Sequence, residues 1–194
     1  MNSDILFAQA ASTTKDRSIV LTCRPKLTFV QVTPSLEIQA PNIVFEQTLG
    51  HPTGMEGRVD EHGDINLTDM PFNAEYTDNV DITINLDSSL LFDPNGNRVT
   101  GRWAFVDESS GQGETGFGWF CGTDAAGKYS TKIPIPIDGM RIERLNDMQL
   151  RINDDTPKAT PEYAYAIALV LPAYNNYYIT IDPRITTKTT NTSS

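Results

Sequence analysis

The chain has 194 residues, a net charge of −10 and 39% hydrophobic residues. It is long enough to bury a core without cross-links, since a domain of about 150 residues already hides roughly 70% of its unfolded surface. The negative charge repels phosphate backbones and anionic lipid. The nearest thing to a basic stripe, Arg141, Arg144 and Arg151, is interrupted by Glu143 and Asp147, so a nucleic-acid partner is excluded. The longest apolar run, Tyr163 to Pro172, is far short of the roughly 20 residues of a membrane helix, and no membrane insertion is expected.

The first residues are polar at Asn2, Ser3 and Asp4 and then briefly apolar at Ile5, Leu6 and Phe7. A secretory signal needs a basic region and a longer apolar stretch. The reading is therefore of a protein cytoplasmic at synthesis, able to accumulate in inclusions, to be released or to be built into a particle. Residues 1–15 read as an N-terminal arm, 16–185 as a single domain and 186–194 as a flexible Thr/Ser-rich tail.

Within the domain the dominant signal is period-two alternation in short segments bounded by turn residues. Ser18 to Cys23 and Lys26 to Val32 come first, divided at Pro25, followed by Leu36 to Ala40 and Asn42 to Gln47, divided at Pro41. Asp60 to Asp64 reads as a tight turn. Val80 to Leu86 places Val80, Ile82, Ile84 and Leu86 on one face and Asp81, Thr83 and Asn85 on the other, the pattern of a half-buried antiparallel strand. A short helix fits near Asp87 to Phe92. Asp93-Pro94-Asn95-Gly96-Asn97 is a second tight turn, with Pro94 presetting φ and Gly96 free to take a positive one. Arg102 to Asp107, Phe117 to Cys121, Met140 to Leu145, Gln149 to Asn153, Tyr163 to Leu171 and Asn176 to Ile181 complete the series. The fold class is all-β, an antiparallel sandwich, Ig-like or jelly-roll-like, of about eight to ten strands.

The chemistry-bearing residues are sparse. His51 and His62 sit in separate loops with no nucleophile beside them in sequence, and Cys23 and Cys121 are far apart without metal-site spacing, so they read as separate reduced thiols. No catalytic residues and no cofactor are expected. Calcium is a candidate at Asp93, Asn95 and Asn97, which alternate like the start of an EF-hand loop, although glycine comes at the fourth place and no bidentate acid follows. A turn whose Asx side chains bond their own backbone is the plainer reading. A glycan is a candidate ligand at the same loop and at Trp119, within the glycine-flanked aromatics Gly116-Phe117-Gly118-Trp119-Phe120. In Tyr163 to Leu171 the large side chains alternate with Ala164, Ala166 and Ala168. This small face admits a close neighbour, either inside the core or in an assembly, where Ile5, Leu6 and Phe7 are the other candidates.

This C-terminal block resembles the PixA/AidA-like bacterial inclusion-body proteins. Their ending is an aromatic-alternating strand, a turn, an aromatic pair, Asp-Pro and a last short strand. The corresponding residues are Tyr163, Tyr165, Ile167, Leu169 and Val170, then Tyr177 and Tyr178, then Asp182-Pro183 and Ile185. Ile181 stands where the family has tryptophan, and Asp4-Ile5-Leu6-Phe7-Ala8-Gln9 lacks the acid that closes the family's opening strand. The resemblance implies a β-sandwich that accumulates in bulk and carries no catalytic residues. Three functions follow: a self-associating or partner-binding sandwich acting as a homo-oligomer; a lectin-like module, calcium-assisted or not; and a pilin- or virion-like assembly subunit using strand addition.

Overall fold

The computed structural model describes residues 14–32, 35–105, 108, 119–123, 129–135, 137–155 and 162–188, with backbone only for 30–32, 35–41, 119–123 and 129–135. The described residues form two sheets of an all-β sandwich, with two 3-10 turns (Ser88–Leu90 and Pro172–Tyr174) and no α-helix.

The first sheet holds β1 (Lys15–Val32), β2 (Ser35–His51), β4 (Tyr76–Leu86), β8 (Met140–Asn146) and β9 (Gln149–Asp154) in the order β2-β1-β4-β9-β8. The alternation that marked Val80 to Leu86 is borne out, because Val80, Ile82, Ile84 and Leu86 are all buried. β1 answers with Ile19, Leu21 and Cys23, and β9 with Leu150 and Ile152, all buried on the same core. β1 and β2 form an antiparallel hairpin, but β1 and β4 run parallel, with Ile19 opposite Ile82 and Leu21 opposite Ile84.

The second sheet is organised around β10 (Glu162–Leu171). On one side lie β11 (Tyr177–Ile181) and β12 (Arg184–Thr186), a single return of the chain broken at Asp182-Pro183. Pro183 has no N–H, but its carbonyl accepts from Tyr165 N at 2.9 Å, so the ladder continues across the break. On the other side lie β5 (Arg102–Trp103) and β6 (Trp119–Thr123), the latter continued by β7 (Tyr129–Ile135). β3 (Ile65–Asn66) adds to β12 in parallel. Twelve strands are thus present among the described residues where eight to ten were expected, because the partners of β10 are short separate pieces.

Three boundaries need correction. Pro25 and Pro41 do not divide their strands. β4 pairs with β1 only as far as Cys23, so Pro25 sits just where that side of β1 loses its neighbour. Pro41 lies on an edge strand, within a register shift where Lys26 faces Asn42 and Thr28 faces Gln39. Edges and bulges are where a missing backbone donor costs least. The proposed tail also begins too early. Thr186 N–H and C=O belong to the β12 ladder, its carbonyl accepting from Leu67 N at 2.7 Å, and Thr187 is fully buried.

The two Asp turns share one construction. Gly63 N donates to Asp60 O and Gly96 N to Asp93 O, while Asp60 N and Asp93 N return bonds to Asp64 O and Asn97 O. This is a type I turn closed by a left-handed glycine, with Gly63 at φ +90° and Gly96 at φ +80°. The pair separates two costs. A Cβ at Gly96 meets nothing within 4 Å, whereas one at Gly63 lies 2.9 Å from the buried Phe45 ring. Gly96→Ala should therefore lose only the left-handed penalty of about 1–2 kcal/mol, and Gly63→Ala clearly more. Urea denaturation of the two variants measures this, and equal losses contradict it.

Candidate functional site

Neither candidate ligand loop gathers a binding site in the described residues. Asp93 Oδ1 accepts from Asn95 N at 2.9 Å and Asn97 N at 2.7 Å, and Oδ2 from Asn97 Nδ2 at 3.0 Å. Those hydrogen bonds, led by Asn97, hold the Asp93 carboxyl below the usual carboxylate range. The Asp93 oxygens offered to calcium are thus engaged in the turn itself. Among the described residues no three His, Cys, Asp or Glu side chains converge as a metal site. Trp119 contributes backbone to β6 opposite Ala166, and its side chain, like residues 116–118, lies outside what is described. Ile5, Leu6 and Phe7 lie outside the described residues as well.

Ala164, Ala166 and Ala168 are not an assembly surface. All three are buried, as are their large neighbours Tyr163, Tyr165, Ile167, Leu169 and Leu171, because β10 has strands on both sides and is covered on both faces. Tyr165 reaches out of β10 to donate its hydroxyl to Gly63 O at 2.7 Å, and burial pushes this phenol well above the usual tyrosine range. Cys23 is likewise buried, with a free thiol raised by burial.

His51 and His62 remain separate. The His51 ring nitrogen is 2.6 Å from Tyr76 Oη, while His62 lies 3.8 Å from its neighbour Glu61. An open groove of about 420 Å³ runs beside β3 and β12, lined by Arg58, Asp60, Asp64, Glu162 and Arg184 among others. Its charges serve the fold: Asp64 Oδ1 accepts from Arg184 N at 2.7 Å, Arg184 pairs with Glu162, and Arg58 donates to the Gly54 and Asp69 carbonyls.

Two polar clusters went unread in the sequence. Arg102 grips Glu108 through its two terminal guanidinium nitrogens, at 2.9 and 2.8 Å, and this pairing holds the Glu108 carboxyl below the usual range. Over the same loop Arg102 and Arg144 cover the half-exposed Phe105 ring at 5.0 and 4.2 Å. Arg17, buried at the head of the β1 core face, donates to Thr77 O at 2.7 Å and pairs with Asp78, which also holds Lys188 at 2.7 Å.

The feature that most resembles a functional surface is the far half of the β1–β2 hairpin. The root is fixed where Arg24 pairs with both Glu46 and Asp87, and Asp87 caps the Ser88–Leu90 turn by accepting from Ser89 N. Beyond Cys23, β1 has β2 on one side and no strand on the other among the described residues. The hairpin rests on the sandwich through buried Leu27 and through Phe29, whose ring is 5.0 Å from that of Tyr174. Backbone polarity tells which groups face the open side. Val20 O accepts from Thr48 on the β2 side, and Cys23 O accepts from Asp87 N on the β4 side. By strand alternation, Pro25, Leu27, Phe29 and Gln31 direct their backbone groups to the open side. From Leu27 to Leu36 the sequence carries no charged residue.

The β2 edge is guarded differently. Phe45 N donates to Glu61 O at 2.9 Å, and Gln47 bonds both Met55 O and Arg58 N. The 52–64 loop thus covers the near half of β2, a common way to blunt an edge. Compared with known proteins, the chain matches no family model and no curated relative.

Proposed function

We propose that the protein is a non-enzymatic β-sandwich that works by self-association, in keeping with the inclusion-body proteins that its C-terminal block resembles. The observation that carries this reading is the side of β1 beyond Cys23, which has no neighbouring strand among the described residues. An unpaired edge is a template for another strand, and soluble proteins ordinarily blunt theirs with lysines, prolines, bulges or a covering loop. Here the covering loop protects the near half of β2, and its far half carries Glu37 and Pro41, while the β1 stretch from Leu27 keeps the β-favouring run Thr28-Phe29-Val30-Gln31-Val32 without a charge. An isolated two-stranded ribbon is marginal in water, and a further strand stabilises it.

Light scattering on the purified full chain over a range of concentrations tests the reading. A mass above that of the monomer, rising with concentration, is expected. A monomer throughout the soluble range overturns it.

A further inference from the structure

Resting on that reading, we infer that the partner is a second copy of this chain, joined by antiparallel pairing of β1 with β1 about a two-fold axis at Phe29. The backbone groups facing the open side decide the register. Centring on Phe29 sets Phe29 against its own copy and Leu27 against Gln31, so every outward residue used has both an N–H and a carbonyl to exchange. Pro25, which has no N–H, falls outside the paired stretch. Centring one residue earlier places Pro25 against Gln31, and centring on Leu27 places it against Phe29. Centring on Leu27 also uses Cys23, whose carbonyl already accepts from Asp87 N at 2.8 Å.

The charges agree with this choice. In the Phe29 register Lys26 lies opposite Val32, and Arg24, held by Glu46 and Asp87, lies beyond the pairs. No like charges meet, as they do when two ordinary lysine-guarded edges approach. The contact is self-complementary, as a two-fold interface must be. It joins two five-stranded sheets into one continuous sheet.

The register places Thr28 of one copy against Val30 of the other, which gives a test by charge. Thr28 is exposed, so lysine is tolerated there by the monomer. The double variant Thr28→Lys/Val30→Lys sets like charges opposite each other twice. It should raise the dissociation constant by about tenfold or more, read by sedimentation velocity, with circular dichroism confirming the fold. Thr28→Lys/Val30→Glu sets opposite charges in the same places and should return association toward that of the wild type.

If the wild type associates and the double-lysine variant associates equally well, the β1 edge is overturned while self-association stands. If the wild type is monomeric throughout, the self-association reading itself fails. If the lysine variant dissociates and the lysine–glutamate variant does not recover, the Phe29 register is overturned. If deleting residues 1–12 abolishes association that the lysine variant retains, the interface belongs to the N-terminal arm, and the strand pairing is overturned.

Discussion

Leu169→Ala is expected to lower the stability of the chain by about 2–5 kcal/mol. Leu169 is fully buried near the C-terminal end of β10, opposite Trp103 on β5 and Ile179 on β11. Its surroundings have little freedom to close on a cavity. A Cβ built on Gly101 would lie 2.8 Å from Leu169 Cδ1, so the leucine already occupies the space that the glycine leaves. Truncation removes the transferred methyl groups and leaves a void lined by strands fixed in a ladder, which is the expensive case. Leu169→Met keeps the volume and should cost less than about 1.5 kcal/mol. Guanidinium unfolding of both variants measures the difference. Equal and small losses show that the second sheet relaxes around this position.

The second large effect comes from a charge. Asp78→Ala should cost about 3 kcal/mol, the lower end of what breaking a buried pair removes. Arg17 has a side-chain exposure of 1%, against 38% for Asp78. The guanidinium cannot shed its proton, so without Asp78 it stays charged inside the sandwich with Thr77 O and the Met55 sulfur as its described partners. Water reaching the Asp78 position limits the loss. Lys188→Ala removes only the outer, half-exposed member of the cluster and should cost under about 1 kcal/mol. In Arg17→Met/Asp78→Ala no charge is stranded, and most of the stability should return. A double-mutant cycle by thermal unfolding reads the coupling directly, and additive losses contradict the account.

What could be read from the sequence was what is local or strictly periodic. Val80 to Leu86 announced both its strand and its core face because one side is buried and the other is not. The Asp60 and Asp93 turns were legible because aspartate, glycine and their spacing build them without outside help. Near Asp87 the short helix is a single 3-10 turn, Ser88–Leu90, with Asp87 as its cap. The alanine face of β10 was legible as a place of close approach, but its burial depends on distant segments that no local pattern reveals.

Proline misled for the same reason. Pro25 and Pro41 looked like breaks because their effect depends on which side of the strand lacks a neighbour, and that is a tertiary fact. Arg17 did leave a trace. It stands two residues before Ile19 in the odd-numbered series that continues through Leu21 and Cys23, so a charged side chain heads an otherwise apolar face. The open edge of β1 left a fainter one, an uncharged stretch between Lys26 and Glu37, which gains meaning only once the strand order is known.

The position of β10 also bears on how the chain is made. Of the described strands that pair with it, β5 and β6 come earlier and must wait for residues 162–171, and Ile185 must find Ile65 across most of the sequence. Such pairings close large loops before they are rewarded, and they form slowly. On the ribosome the second sheet therefore has no central strand until residues 162–171 have emerged, while the β1–β2 hairpin emerges well before them. Between the emergence of β2 and that of β10 the nascent chain presents a hairpin ready to pair and half of a core with nothing to cover it, so neighbouring chains on one message have the opportunity to meet in that interval.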